Sequence, residues 1–248
     1  MNALILLAAG SGTRISDFVK DKACALLKGK PVLVYSLEAF AQSKCFDQTL
    51  IVYRDPDQKK TLETIVQSSP WKDLKIDYVR GGESRAESVY NALVALAAQS
   101  ERDFIQSSDA RVAIHDVARP LITSDFIKTL MAHAQAHQHI VPANKLVDSI
   151  KQVEVDESEE EIGRIEKNCD RSRLRSVHTP QIFNPKKLLS AYKSLNEACA
   201  KYTDDASILE SIGETVHYLE NPRPNPKITT KSDWDYILYL LNEHSTEY

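Results

Sequence analysis

The segment LILLAAGSGTRISDFVKDKACALLKGKPVL, residues 4–33, sets Gly10 and Gly12 behind an apolar run and ahead of three cations, Arg14, Lys20 and Lys22. Glycine leaves backbone N–H groups open to an approaching ligand. With Arg14 and Lys22 close behind, the stretch holds the parts needed to bind a triphosphate. It is not a P-loop, because GxxxxGK[ST] is absent, nor a dinucleotide fingerprint, because the third glycine of GxGxxG would fall at Ile15. An ordinary tight turn is the competing reading. A second glycine pair, Gly81 and Gly82, lies in RGGESRAESV, where Ser88 follows Ser84 by one helical turn. In IHDVARP, Asp116 closes an apolar run. A carboxylate there is costly to bury unless it is paired or holds a cation. Its oxygens suit Mg²⁺, which takes one or two carboxylates plus substrate phosphates, and a capping role for Asp116 is the alternative. Lys227, in NPKITTKSD, falls at the mouth of the last expected strand. His133 and His137 have i, i+4 spacing without an evident third ligand, which argues against zinc.

These residues need elements to bring them together. ALILLAA (3–9), TLIVYR (49–54), KIDYVRGG (75–82) and ARVAIHD (110–116) read as strands, the first buried on both faces. Residues 32–43, 57–67, 84–99 and 123–137 carry helical periodicity, with Ser84 as an N-cap. The alternation predicts an α/β, Rossmann-like fold, a mostly parallel twisted sheet with helices on both faces. Ligands bind such sheets beyond the carboxyl ends of the strands, which is where the glycines, Asp116 and Lys227 fall. From about residue 141 to 178 the rhythm breaks into β-like fragments around an acidic tip, residues 154–161, and a protruding hairpin-like arm is expected. Helices over 185–200, 205–213 and 231–244 and a strand over 215–220 complete one domain, residues 1–248.

Only seven residues in 248 are glycine, against a usual share of about 7%, so four glycines in two motifs point to local need. A net charge of −4 argues against general nucleic-acid or membrane-surface binding. The four cysteines form no CxxC pair and read as reduced thiols. No run approaches a membrane span and no basic n-region precedes the first strand, so a cytoplasmic location is expected.

Taken in order, LAAGSGTR, a lysine, GKPVLVYSLEAF, GGESRAESV, HDVARP, TPQIF, TDDAS and NPKIT resemble the 2-C-methyl-D-erythritol 4-phosphate cytidylyltransferases across roughly residues 3–242. That family joins CMP from CTP to a sugar phosphate with release of pyrophosphate, a step of the non-mevalonate isoprenoid route. The resemblance implies that Ala8, Ala9, Gly10 and Gly12 bind CTP, with Gly82, Glu83 and Ser88 around the cytosine. It implies that Arg14 and Lys22 stabilise charge on the phosphates and that Asp116 contacts Mg²⁺, or another divalent cation, near the substrate. Arg119, Ser149, Arg171, Thr179 and Lys227 are implied to hold the polyol phosphate, Arg171 and Lys227 with catalytic roles. Ser149 and Arg171 are expected to reach a partner subunit's site from the arm, making the protein a homodimer with shared sites. Asp21-Lys22-Ala23 stands where the family often has Pro-Lys-Gln, which leaves Lys20 competing for the role of Lys22. Val117 departs from Ala-Ala-Arg-Pro, and Ser149 replaces a threonine while keeping its hydroxyl. A ribitol 5-phosphate cytidylyltransferase is the nearest alternative, although its members tend to lack TDDAS. A catalytically inactive nucleotide-binding regulator is the third reading, disfavoured because Arg14, Lys22, Asp116 and Lys227 are all present.

Overall fold

The computed structural model describes residues 1–10, 18–99, 103–155 and 162–243. The chain opens with β1 (Asn2–Leu7), a two-stranded hairpin β2 (Leu26–Leu27) and β3 (Lys30–Pro31), and helix α1 (Val32–Ser43). Next come β4 (Gln48–Tyr53), α2 (Pro56–Gln67), β5 (Ile76–Arg80), α3 (Arg85–Gln99), a single turn α4 (Asp103–Gln106) and β6 (Arg111–Asp116). Helix α5 (Ser124–Ala136) leads to β7 (Ile140–Lys145), then to β8 (Lys151–Val155) and β9 (Gly163–Asn168). The remainder is β10 (Arg175–Val177), β11 (Gln181–Phe183), α6 (Pro185–Leu195), α7 (Asp205–Ser211), β12 (His217–Glu220) and α8 (Lys231–Glu243).

Eight strands form the main sheet, in the order β10-β7-β11-β6-β1-β4-β5 with β12 also paired to β7. β1 lies parallel between β4 and β6, while β10 and β11 run antiparallel to their neighbours. The sheet is therefore mostly parallel, as the alternation predicts. Side chains of β1 alternate between two cores, as a pleated strand buried on both faces requires. Leu4 and Leu6 pack with α1, α2, α5 and α8 on one face, and Ala3 and Ile5 pack with α3, α6 and α7 on the other. Local chemistry starts the helices. Asp55 caps α2 through the Gln58 N–H at 2.8 Å ahead of Pro56, and Asn184 does the same for α6 ahead of Pro185.

Three expectations change. β1 stops at Leu7, so Ala8 and Ala9 already belong to the loop. The helix expected to reach residue 200 ends at Leu195, where Asn196 turns to a left-handed φ of 47° and tight 3-10 turns follow to Lys201. The arm is shorter than the expected 141–178, because β7 and β10 are strands of the main sheet. What leaves the sheet is residues 146–174, built around the β8–β9 hairpin, which forms a sheet of its own. Of the acidic tip, residues 154–161, the part from 156 to 161 lies outside the described residues.

Candidate active site

Crossovers from β1 run outward to β4 and β5, and the chain then returns to lay β6 on the other flank of β1. At this reversal the loops after β1 and β6 part and leave a crevice. A cavity of about 500 Å³ occupies it, within the usual range for small-molecule sites. Leu7 to Gly10 line one side, Lys22, Ala23 and Arg54 another, Gly82 to Arg85 with Ser88 a third, and Asp116 to Ala118 with Lys227 the floor.

The two glycine motifs meet in the wall. A Cβ on Gly81 would sit 2.8 Å from Ser88 Oγ, 3.0 Å from Ala9 Cβ and 3.2 Å from Val52 Cγ1. Only glycine lets this strand end approach the first loop so closely. The Gly82 N–H donates to Ser88 Oγ at 3.1 Å. Ser84 caps α3 by accepting from the Glu87 N–H at 3.0 Å, and the Glu87 carboxylate accepts from the Glu83 N–H at 2.8 Å.

On the floor, Asp116 is buried and flanked by two cations. Lys227 Nζ donates to Oδ2 at 2.6 Å, and Arg85 Nε to Oδ1 at 3.3 Å. Burial alone would raise the Asp116 pKa, but Arg85 and then Lys227 outweigh it and hold the carboxyl well below the usual carboxylate range. Arg85 is itself gripped from behind: Asp205, fully buried, lies 2.8 Å from its guanidinium and accepts from the Tyr192 hydroxyl at 2.6 Å. Burial would lower the Arg85 pKa, yet Asp205 and Asp116 push it above its ordinary value. The guanidinium therefore stays charged under the floor.

Ala8, Ala9, Gly10, Gly82, Glu83, Ser88, Lys22, Asp116 and Lys227 all line this cavity. Gly12 and Arg14 lie outside the described residues. Lys20 is exposed and is not part of the wall, whereas Lys22 is, with its amine donating to the Ile228 carbonyl at 3.2 Å. Thr179 sits beneath Asp116: its hydroxyl accepts from the Asp116 N–H at 3.1 Å and lies 3.1 Å from His115 Nδ1. Arg119 is directed to the Asn225 carbonyl at 2.7 Å. Ser149 and Arg171 are exposed on the arm and do not line their own chain's cavity, and Arg171 donates to the Val147 carbonyl. Among the described residues no group of three or more His, Cys, Asp or Glu side chains is placed to hold a metal ion.

Sequence reasoning gave no role to Arg85, Asp205 or Arg54. A second aspartate directly after the Asp204 cap was the available signal, since a cap needs only one. Asp205 in fact points inward to Arg85.

A family model described as IspD, 2-C-methyl-D-erythritol 4-phosphate cytidylyltransferase, matches residues 2–242. A 2-C-methyl-D-erythritol 4-phosphate cytidylyltransferase of Bacillus mycoides is 31% identical, with 94% of each chain covered. Among solved structures, a 4-diphosphocytidyl-2C-methyl-D-erythritol synthase from Anaerococcus prevotii superposes with a TM-score of 0.78 at 25% identity, covering 98% of both chains. The Francisella tularensis 2-C-methyl-D-erythritol 4-phosphate cytidylyltransferase gives a TM-score of 0.74 at 28% identity, covering 96% of this chain and 98% of that one.

Proposed function

This chain belongs to the 2-C-methyl-D-erythritol 4-phosphate cytidylyltransferases, and from that premise we propose how its own residues carry the reaction. It is a nucleotidyltransferase that joins CMP from CTP to 2-C-methyl-D-erythritol 4-phosphate, in non-mevalonate isoprenoid synthesis. An oxygen of the sugar phosphate attacks the α-phosphorus of CTP. The bond from that phosphorus to the bridging oxygen of the β-phosphate breaks, and pyrophosphate leaves. No protein nucleophile is needed, so the work is positioning and charge stabilisation. The observation that supports this reading most is the set of cations, Lys22, Arg85 and Lys227, gathered with Asp116 at the carboxyl edge of the sheet.

The loop Ala8–Gly10 with Gly12 takes the triphosphate, and Gly82, Glu83 and Ser88 take the cytosine. Arg14 and Lys22 stabilise the negative charge that develops on the phosphates. Lys227 turns from Asp116 to the attacking phosphate, while Arg119 and Thr179 support the floor on which the polyol rests. Asp116 suits Mg²⁺, because a single hard carboxylate at a phosphate site is the donor set that this ion completes with substrate oxygens and water. When bound, the ion neutralises phosphate charge. Ser149 and Arg171, remote from their own cavity, complete the partner's site in a homodimer. Four unpaired cysteines suit the reducing cytoplasm, and no described helix is long and apolar enough to cross a membrane.

Pyrophosphate release, measured with CTP and either methylerythritol phosphate or ribitol 5-phosphate, tests the assignment. Turnover is expected with the first alone. Preference for ribitol 5-phosphate would make the chain the related enzyme, and no release with either would make it a nucleotide-binding regulator.

A further inference from the structure

Asp21 occupies a position where the family often carries proline, and its carboxylate ties together three segments of the cavity wall. Oδ1 accepts from the N–H groups of Ala23 and Cys24 at 3.0 and 3.3 Å, and the Asp21 carbonyl accepts from the Ala25 N–H at 3.0 Å. These bonds fold residues 21–25 into a tight turn with Lys22 at its corner. Oδ2 faces the other way and accepts from Gln58 Nε2 at 2.7 Å and from an Arg54 guanidinium N–H at 3.3 Å. Gln58 is 4% exposed, and its amide is almost fully used. Nε2 also donates to the Ala8 carbonyl at 3.0 Å, and Oε1 accepts from the Arg54 N–H at 2.6 Å. One carboxylate and one amide thus link the lysine turn, the end of β1 and the start of α2. A carboxylate so near a phosphate site would repel the nucleotide, but Arg54 pairs with it.

We propose that Asp21 is a positioning residue that, through Gln58, fixes the Lys22 turn against the triphosphate loop. The proposal rests on the reading of Lys22 as the residue that stabilises the reacting phosphates. Its chemistry predicts an unusual pattern of rescue. Asp21→Asn keeps an oxygen for the Ala23 and Cys24 N–H groups but turns an NH₂ toward the donors of Gln58 and Arg54, so the turn survives while the tie breaks. Gln58→Glu sets a carboxylate against that of Asp21 and against the Ala8 carbonyl. In the double variant the amide and the acid have exchanged places, so the bond between positions 21 and 58 re-forms with opposite polarity, while the Ala8 carbonyl still lacks its donor.

Displacement of a catalytic group by about an ångström costs up to about a hundredfold in rate. Each single variant should therefore lose about tenfold in kcat, with KM for CTP within about threefold of the parent. The double variant should fall no further in kcat than Gln58→Glu alone, because the bond between positions 21 and 58 is restored and the one to Ala8 is not. Thermal melts run on every variant separate this from unfolding. The proposal is overturned if Asp21→Asn keeps kcat within about twofold, if its loss only follows the folded fraction, or if the double variant shows the product of the two single losses. Lys22→Ala in the same assay isolates the premise. Full turnover there overturns the role of the lysine and this proposal with it, whereas a crippled Lys22→Ala beside an unaffected Asp21→Asn overturns the proposal alone.

Discussion

Asp205, Arg85, Asp116 and Lys227 alternate in sign from the core to the cavity, and each charge is tolerated only because the next is there. Removing one member of a buried ion pair strands its partner, at a cost of about 3–5 kcal/mol, more than the pair itself contributes. Arg85→Met keeps the apolar stem of the side chain while leaving the fully buried Asp205 without its cation. It should lower the free energy of unfolding in urea by about 3–5 kcal/mol. A loss under about 1 kcal/mol would mean that Asp205 finds another partner once Arg85 is gone. The residue scale is also where the sequence was least legible. Gly10 and Asp116 stood out by type and place, whereas Gly82, Ser88 and Lys227 took their roles from the family resemblance. Arg85 and Asp205 did neither, because a long-range pair between α3 and α7 leaves no spacing to read.

At the scale of elements, the site depends on how near one strand end comes to another. The β5 end passes Ala9 and Ser88 with no room for a methyl group at Gly81. Gly81→Ala should push this corner from the β1 loop, raise KM for CTP by tenfold or more and lower Tm by several degrees, as overpacking of about 1–3 kcal/mol does. Steady-state kinetics and a melting curve check both, and parent-like values would show that the corner yields freely. The elements themselves were largely legible. α1 spans the expected Val32–Ser43 because apolar periodicity and the glycine-proline approach agree. β7 and β10 were absorbed into the expected arm because membership of a sheet is settled by hydrogen-bond partners far away in sequence, and short strands carry no mark of which sheet they join. The hairpin β2–β3, of two residues a side, falls below what periodicity can register.

For the molecule as a whole, acid should loosen the fold before its carboxylates titrate. Burial pushes the pKa of His115 down to about 3 and those of His139 and His178 down to about 4. In the unfolded chain they titrate near 6.5. Between about pH 6.5 and 4 the unfolded state therefore binds more protons, and stability falls as pH falls, by about 1.4 kcal/mol per unit for each histidine. Urea unfolding at pH 7.5, 6 and 5 should show a plateau and then a steep decline. A flat profile to pH 5 would mean that these imidazoles are charged inside the fold. Assembly has its own test. Arg14→Ala and Arg171→Ala should each be nearly inactive, yet co-expressed as mixed dimers they should regain turnover, because one of the two sites keeps both arginines. Mixed dimers as inactive as their parents would confine Arg171 to its own chain. The arm that carries it leaves and re-enters the sheet at Lys145 and Arg175, which face one another as paired residues of β7 and β10. Its roots are thus already at hairpin distance, and a two-residue Asn-Gly turn could close them in place of residues 146–174. Such a chain should fold, sediment as a monomer and turn nothing over. The arm is thereby a graft on a trunk whose sheet closes without it. Its length and its face can be changed in the laboratory without redrawing the sheet, since only the paired roots at Lys145 and Arg175 must be kept.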